Sequence, residues 1–410
     1  MAAPLTTARP TTTRPAAEPP QWPEVYSYLH HAFLCDVLRT HPAFDDWLAG
    51  TFLRLYAHRD FATAAVPFNF DVGDRIVRNP DDGRHTHAVL DYYRRVPLLA
   101  LDEHDRRAVA ELPAAAAFLA DSTAGGGAVL VYAEKSHVPG TDEYGRARAV
   151  HQVMYTRGPA PGTLRAHAMG AGGRYVRADT TPAEAALACV EARVTAAHRR
   201  RVLVLRPRPD DGAHRFTPAT LHLALTRAVD GRLASEVEDP GSAGAPDLTA
   251  GLAASRTLVG QAARMLHGEL PLDIRPFHVY LEHKQRLAAA LGLLAARAAG
   301  KAGGGGGGGG GARAGRTGAA FAPSPESLER AARLRDQAAA LRFAMLRCTR
   351  LGTTPQAATA WLRQAEPVLE EERLLHHALR RETAPNRRAT LPAGRSTPHR
   401  PDQPPRTGDQ

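Results

Sequence analysis

The sequence predicts an α/β fold with a mostly parallel sheet over residues 22–300, carrying helical additions, followed by a helical C-terminal extension. Three observations predict it. Short β-branched runs of strand length alternate with segments whose apolar residues recur every three to four positions, the pattern of strands joined by helices. Nine consecutive glycines, Gly303 to Gly311, then break the chain with residues that have no preferred backbone conformation. Both ends are rich in Pro, Thr, Ala or Arg and poor in large apolar side chains, so neither can bury enough surface to order itself.

Taken in order, residues 1–21 are expected to be a disordered tail. Tyr26, Leu29, Phe33 and Val37 mark a first amphipathic helix, and Phe44, Trp47, Leu48, Phe52 and Leu55 a second. Val66 to Val72 reads as a strand that breaks at Gly73, within "FNFDVGDRIVRN". Gly127 to Lys135 is a buried strand, Ala147 to Tyr155 a candidate strand, and Arg201 to Pro207 another. Thr181 should cap the helix that precedes the last of these, and Pro218 should open the one that follows it. Residues 250–300 read as largely helical, and 301–320 as a glycine-rich linker. Residues 321–383 suggest a helical hairpin in which Leu334, Ala338, Leu341 and Met345 form one stripe, expected to meet a protein partner or a second copy. Pro367 is a candidate kink in its second helix, and 384–410 a disordered basic tail.

Composition narrows the function classes. With 52 basic and 42 acidic residues the net charge is +10, and lysine occurs only at 135, 284 and 301. Arginine makes forked, permanently charged contacts with phosphate, which suits RNA or nucleotides; a GC-rich genome that inflates Ala, Arg, Gly and Pro together gives the same composition. From residue 312 onward there are 17 arginines and 10 acidic residues, so seven of the ten excess charges lie behind the glycine run. Three cysteines, Cys35, Cys189 and Cys348, are too few and too scattered for a disulfide framework or a zinc site, and point with the lack of a secretory signal to a reducing setting. No apolar run reaches the roughly 20 residues of a transmembrane helix. The "AGGGAV" run at 124–129 lacks the Lys-Ser/Thr of a phosphate loop, and "MGAGGRY" at 169–175 reads equally as a plain turn. The histidine pairs at 30–31, 85/87 and 376–377 have no cysteine or acidic set beside them, so no metal site is expected.

The candidate chemistry lies between residues 40 and 160. An acid and a glycine at a strand's carboxyl end, Asp71 and Gly73, face the ligand crevice of an open α/β sheet; a surface turn has the same residues. Arg78 follows on the same stretch. His41 precedes it beside Pro42, "GRHTH" follows, then "DYYR" with Asp91 and Arg94, then "LDEHDR" with Asp102 and Arg106, then "VHQVMY" with His151 and Tyr155. This order resembles the methyltransferase-guanylyltransferases that cap the RNAs of alphavirus-like viruses, and chain length and composition look like the methyltransferase segment of fungal polymycoviruses. The element departs from the family at Asp74, where relatives carry a second glycine.

The resemblance implies a Rossmann-like methyltransferase core that binds S-adenosylmethionine, methylates GTP at N7 and passes the guanylate through a histidine to viral RNA, in host cytoplasm or in the virion. It implies His41 as the nucleophile, since neutral imidazole is available near pH 7. It places Asp71, Gly73 and Arg78 at the cofactor, and the Asp-x-x-Arg element, as Asp91/Arg94 or Asp102/Arg106, at the reaction centre. Tyr155 would stack on the purine with His151 nearby, and Mg²⁺ would arrive on the triphosphate. The rival reading is a non-enzymatic viral structural or tegument-like protein that binds RNA or protein through its Arg-rich tail.

Overall fold

The structure is a computed structural model, and it describes residues 23–73, 75–78, 83–170, 173–194, 200–210, 212–237, 247–303 and 321–385. The expected tails and most of the glycine linker therefore lie outside the described residues.

In chain order the elements are α1 (Leu29–Leu38), α2 (Phe44–Thr51), β1 (Leu55–His58), β2 (Phe68–Phe70), β3 (Arg75–Arg78), β4 (His85–His87), α3 (Val89–Arg95), β5 (Leu99–Asp105), α4 (Leu112–Ala124) and β6 (Ala128–Glu134). There follow β7 (Val150–Arg157), β8 (Leu164–Met169), β9 (Tyr175–Thr180), α5 (Pro182–Glu191), β10 (Arg201–Pro207), α6 (Pro218–Asp230), β11 (Glu236–Val237), β12 (Leu248–Ala250) and α7 (Leu252–Leu266). The last three are α8 (Arg275–Gly303), α9 (Pro325–Leu351) and α10 (Pro355–Glu382). Caps explain several of these boundaries. Thr181 and Glu184 form a reciprocal capping box at α5, and Thr217 caps α6 with Pro218 in its first turn and left-handed Gly231 at its end. Ser324 and Thr354 cap α9 and α10 in the same way.

The main sheet has six strands in the order β5-β10-β6-β7-β8-β9, and every neighbouring pair in it is antiparallel. This corrects the mostly parallel, Rossmann-like arrangement expected from the alternation. The physical reason lies in three strands that the sequence pattern does not reveal, β5, β8 and β9, and one that intervenes, β10. β6 to β9 form an up-and-down meander. The return strand β10 inserts between β5 and β6, so those two run parallel without touching, joined through α4. α5 likewise joins β9 to β10, which run parallel across three intervening strands. The helical crossovers that signal a parallel sheet are thus present, but other strands fill the gaps between their ends.

Both crossover helices lie on one face of the sheet, where Val129, Val131, Val153, Tyr155, Ala185 and Cys189 are buried together. The alternate side chains, among them Leu130, Met154, Leu203 and Leu205, face a larger core shared with α1, α3 and the C-terminal helices. A small antiparallel sheet, β12-β1-β2, packs beneath α7 and α8, and β3 pairs with β4 and, in parallel, with β11.

The expected helical hairpin forms as α9 and α10, and its stripe of Leu334, Ala338, Leu341 and Met345 is buried. The stripe is occupied by this chain's own α8 and α10, so it is not the open partner or dimer contact that was expected. Trp361 locks the hairpin: its ring meets Phe277 edge-on at 5.6 Å and its indole N–H donates to the Leu341 carbonyl at 3.1 Å. Among the described residues no helix is long and apolar enough to cross a membrane.

Two buried charges tie distant segments together. Lys284 of α8 meets Glu372 of α10 at 2.5 Å, both virtually without solvent. Glu372 also accepts from Ser255 of α7 at 3.0 Å and from Tyr280 at 2.9 Å. Burial drags the lysine's affinity for its proton down, and the facing carboxylate opposes that. Replacing Lys284 by Met strands the glutamate charge and should cost about 3–5 kcal/mol, whereas K284M/E372M should recover part of that loss; urea unfolding of the two variants checks it.

Glu282, also on α8, accepts from the Tyr26 and Ser27 amides at 2.8 and 3.0 Å and from the Ser27 hydroxyl at 2.6 Å. It thereby satisfies donors just ahead of α1, whose own cap residue makes no side-chain bond. Burial outweighs these bonds and pushes its carboxyl up to about 7. An acid with a raised folded value contributes stability that is complete below its ordinary value near 4.5 and is lost as pH climbs through 7. Glu282→Gln should therefore flatten the fall in urea midpoint between pH 5 and about 8, and an unchanged slope would contradict the assignment.

Candidate functional site

The "DVG" loop follows β2, whose three residues are all buried, so its position is fixed by the core rather than by a ligand. Asp71 is wholly buried. Its Oδ1 accepts from the amide and hydroxyl of Ser235, each at 2.7 Å, and its Oδ2 from the Ala234 amide at 2.7 Å, with Arg54 at 3.9 Å. A carboxylate engaged in this way closes the chain between α6 and β11; it does not line a crevice. Gly73 adopts a left-handed φ of +82°, as a sharp turn requires, and its carbonyl accepts from Arg95. Asp74 lies outside the described residues.

Three of the expected residues, Gly73, Asp91 and Arg94, come together at α3. Asp71 and Gly73 sit at the loop; Asp91 pairs with Arg75 at 3.0 Å and with Arg94 at 3.3 Å, and Arg94 also meets Glu103 of β5 at 2.5 Å. These arginines are about half exposed, so their ion pairs contribute little stability. Arg78 is exposed at the end of β3.

The other expected residues stand elsewhere. His41 is buried in the α1–α2 turn, where its Nε2 donates to the Arg208 carbonyl at 2.9 Å and its Nδ1 accepts from the Ala43 amide at 3.0 Å. Both ring nitrogens are committed to backbone, so in this arrangement neither is available to attack phosphorus. Asp102 pairs with Arg206 across β5 and β10, both side chains largely exposed. Arg106 donates to the Tyr132 carbonyl at 2.8 Å and to the Cys189 and Ala192 carbonyls at 2.5 and 3.4 Å, closing the C-terminal end of α5. His151 is exposed on β7. Tyr155, 1 % exposed, points into the core beneath α4 and α5, on the other side of the sheet from Asp71, and offers no face to a base. The expected constellation is therefore not assembled around one pocket. The reason is register: Met154 and Tyr155 must face opposite sides, and Tyr155 falls on the helix-covered one.

A cleft of about 170 Å³ lies beside His41, lined by Pro97, Leu98, Arg208, Ala213 and His214. It begins where α3 ends, so the chain brings His41 near the Asp91/Arg94 helix. Its volume falls below the roughly 300 Å³ typical of small-molecule sites.

The densest polar networks involve residues that motif reading passed over. One joins Asp36, Thr156, His167, Tyr175 and Arg177. The other joins Lys284, Glu372, Ser255, Tyr280 and His283. The only sequence signal for the second was the rarity of lysine, and the first had none, because its members come from α1 and three different strands. No cluster of three or more His, Cys, Asp or Glu suited to a metal occurs among the described residues.

No family model matches this chain, and no curated protein matches it.

Truncating Asp71 to Ala would remove the acceptor shared by the Ala234 amide and the Ser235 amide and hydroxyl. At about 1–3 kcal/mol each, the variant should lose about 3 kcal/mol or more of unfolding free energy, read from its urea midpoint. A loss below 1 kcal/mol would show that the loop is not held this way.

Proposed function

We propose that this chain is a binding protein of the viral structural or tegument-like kind rather than a capping enzyme, whose α/β body carries an Arg-rich C-terminal segment that engages RNA. One observation carries the reading: Asp71, His41, Arg106 and Tyr155, the groups the capping chemistry needs free, are each committed to the backbone or core. The charge distribution agrees with it, since most of the excess positive charge lies behind the glycine run. Arginine forks on phosphate bind without reading sequence, so affinity should fall steeply with salt.

The capping methyltransferase reading stands second, favoured by the meeting of Gly73, Asp91 and Arg94 at α3 and by His41 on the cleft that begins where α3 ends. Under it S-adenosylmethionine and GTP with Mg²⁺ would bind on the α3 side.

Two measurements separate the readings. The first is single-stranded RNA binding between 50 and about 200 mM salt, with and without residues 384–410. That segment holds five arginines, so removing it should lower the salt slope by about 3. An unchanged slope sinks the tail-binding reading. The second is calorimetry with S-adenosylmethionine, alone and with GTP and Mg²⁺: no heat of binding is expected, and saturable binding would promote the methyltransferase reading instead.

A further inference from the structure

β7, β8 and β9 lie side by side, and their paired residues project to one face: Thr156 opposite Arg165, and His167 opposite Arg177. α1 crosses that face and sets Asp36 above it. Thr156 Oγ1 lies 2.8 Å from His167 Nε2, and His167 Nδ1 lies 2.9 Å from Asp36 Oδ2. The Tyr175 hydroxyl donates to the same Asp36 oxygen at 2.7 Å, and Arg177 grips the carboxylate from the other side.

The proton positions follow from the partners. Asp36 is surrounded by donors; burial works against its charge, but His167, Arg177 and Tyr175 hold its carboxyl down at about 2, so it is an acceptor. His167 Nδ1 therefore carries the hydrogen that faces Asp36, which leaves a lone pair on Nε2. Thr156 must then donate its hydroxyl hydrogen to that lone pair. A hydroxyl donating to an imidazole whose far nitrogen donates to a buried carboxylate is the arrangement by which enzymes activate an alcohol. The Asp36 and His167 side chains are deeply buried, whereas Thr156 is a half-buried residue. Arg165, 37 % exposed and held by Asp179 at 2.9 Å, stands directly across from it and favours an acyl group that carries negative charge.

We propose that Thr156, His167 and Asp36 form a nucleophilic centre for acyl transfer from anionic ester substrates. Thr156 Oγ1 bonds to the ester carbonyl carbon as its proton passes to His167 Nε2. The C–O bond to the alcohol breaks, and the departing oxygen takes that proton. Water, deprotonated by the same nitrogen, then splits the acyl-threonine ester and restores the hydroxyl. Asp36 holds the imidazole in its tautomer and offsets its transient charge. This centre lies apart from the residues around α3 and is independent of RNA binding.

The test uses the full chain with a fluorophosphonate probe, in which the activated oxygen displaces fluoride from phosphorus and the proton leaves through His167. Peptide mass mapping should find the adduct on Thr156, and T156V should lose it while keeping the wild-type thermal midpoint within a few degrees. T156S, which presents a less hindered primary hydroxyl in the same network, should label faster. Wild-type protein and T156S both left without an adduct at residue 156, under conditions in which a control hydrolase labels fully, would overturn the proposal and leave the network as a clamp between α1 and the sheet. Labelling that persists in T156V at another residue would overturn it equally.

Discussion

The Lys284–Glu372 pair is the constraint on which the arrangement of the C-terminal half depends. An ammonium and a carboxylate removed from water together are tolerable only if each finds the other and the remaining valences are filled. Here they are filled by Ser255 from α7, Tyr280 from the same helix as the lysine, and His283, whose other nitrogen donates to the Leu53 carbonyl beside β1. Three helices and the start of a small sheet are thereby held to one relative position. Moving α10 away from α8 would strand two charges in the core.

The same device recurs at smaller scale. Asp71, Glu282, Asp46 and Asp36 each reach across a long sequence separation to satisfy backbone amides or a guanidinium. Asp46 of α2, for example, binds the Phe216 amide and takes a forked contact from Arg297 at 2.7 and 2.8 Å, joining α2 to the loop before α6 and to α8. In a chain so rich in arginine, glycine and alanine, large apolar side chains are scarce. Directed carboxylate contacts supply the specificity that a denser core would otherwise give. This is why residues that look catalytic by type turn out to be structural by environment: an acid at a strand end can serve a ligand or a loop, and the loop at 234–235 occupies Asp71 fully.

Much of the local structure was legible. The Arg201 to Pro207 strand, the caps at Thr181 and Pro218 and the apolar stripe of α9 were read at the observed places, because propensity, capping and periodicity act within a few residues. The strand expected over Val66 to Val72 is shorter, Phe68–Phe70, and Gly73 turns beyond it at a left-handed φ. β5, β8 and β9 were not read as strands. "LALDEHD" and "YVRADT" are charged on edge positions of the sheet, where solvent removes the need for an apolar run. Without them the two crossover helices implied a parallel sheet.

What the sequence by itself determined, then, is most of the helices, several of their caps, the strands with an apolar run and the side of each helix that must be buried, since these follow from spacings of two to four residues. Only the tertiary structure decided which strands are neighbours, which face of the sheet Tyr155 occupies, that both His41 nitrogens are spoken for, and that Thr156, His167 and Asp36 meet. Each of those depends on where chain segments separated by tens to hundreds of residues come to lie. That placement is set by the sum of many weak apolar contacts and a few buried charges, and no short window of sequence contains either.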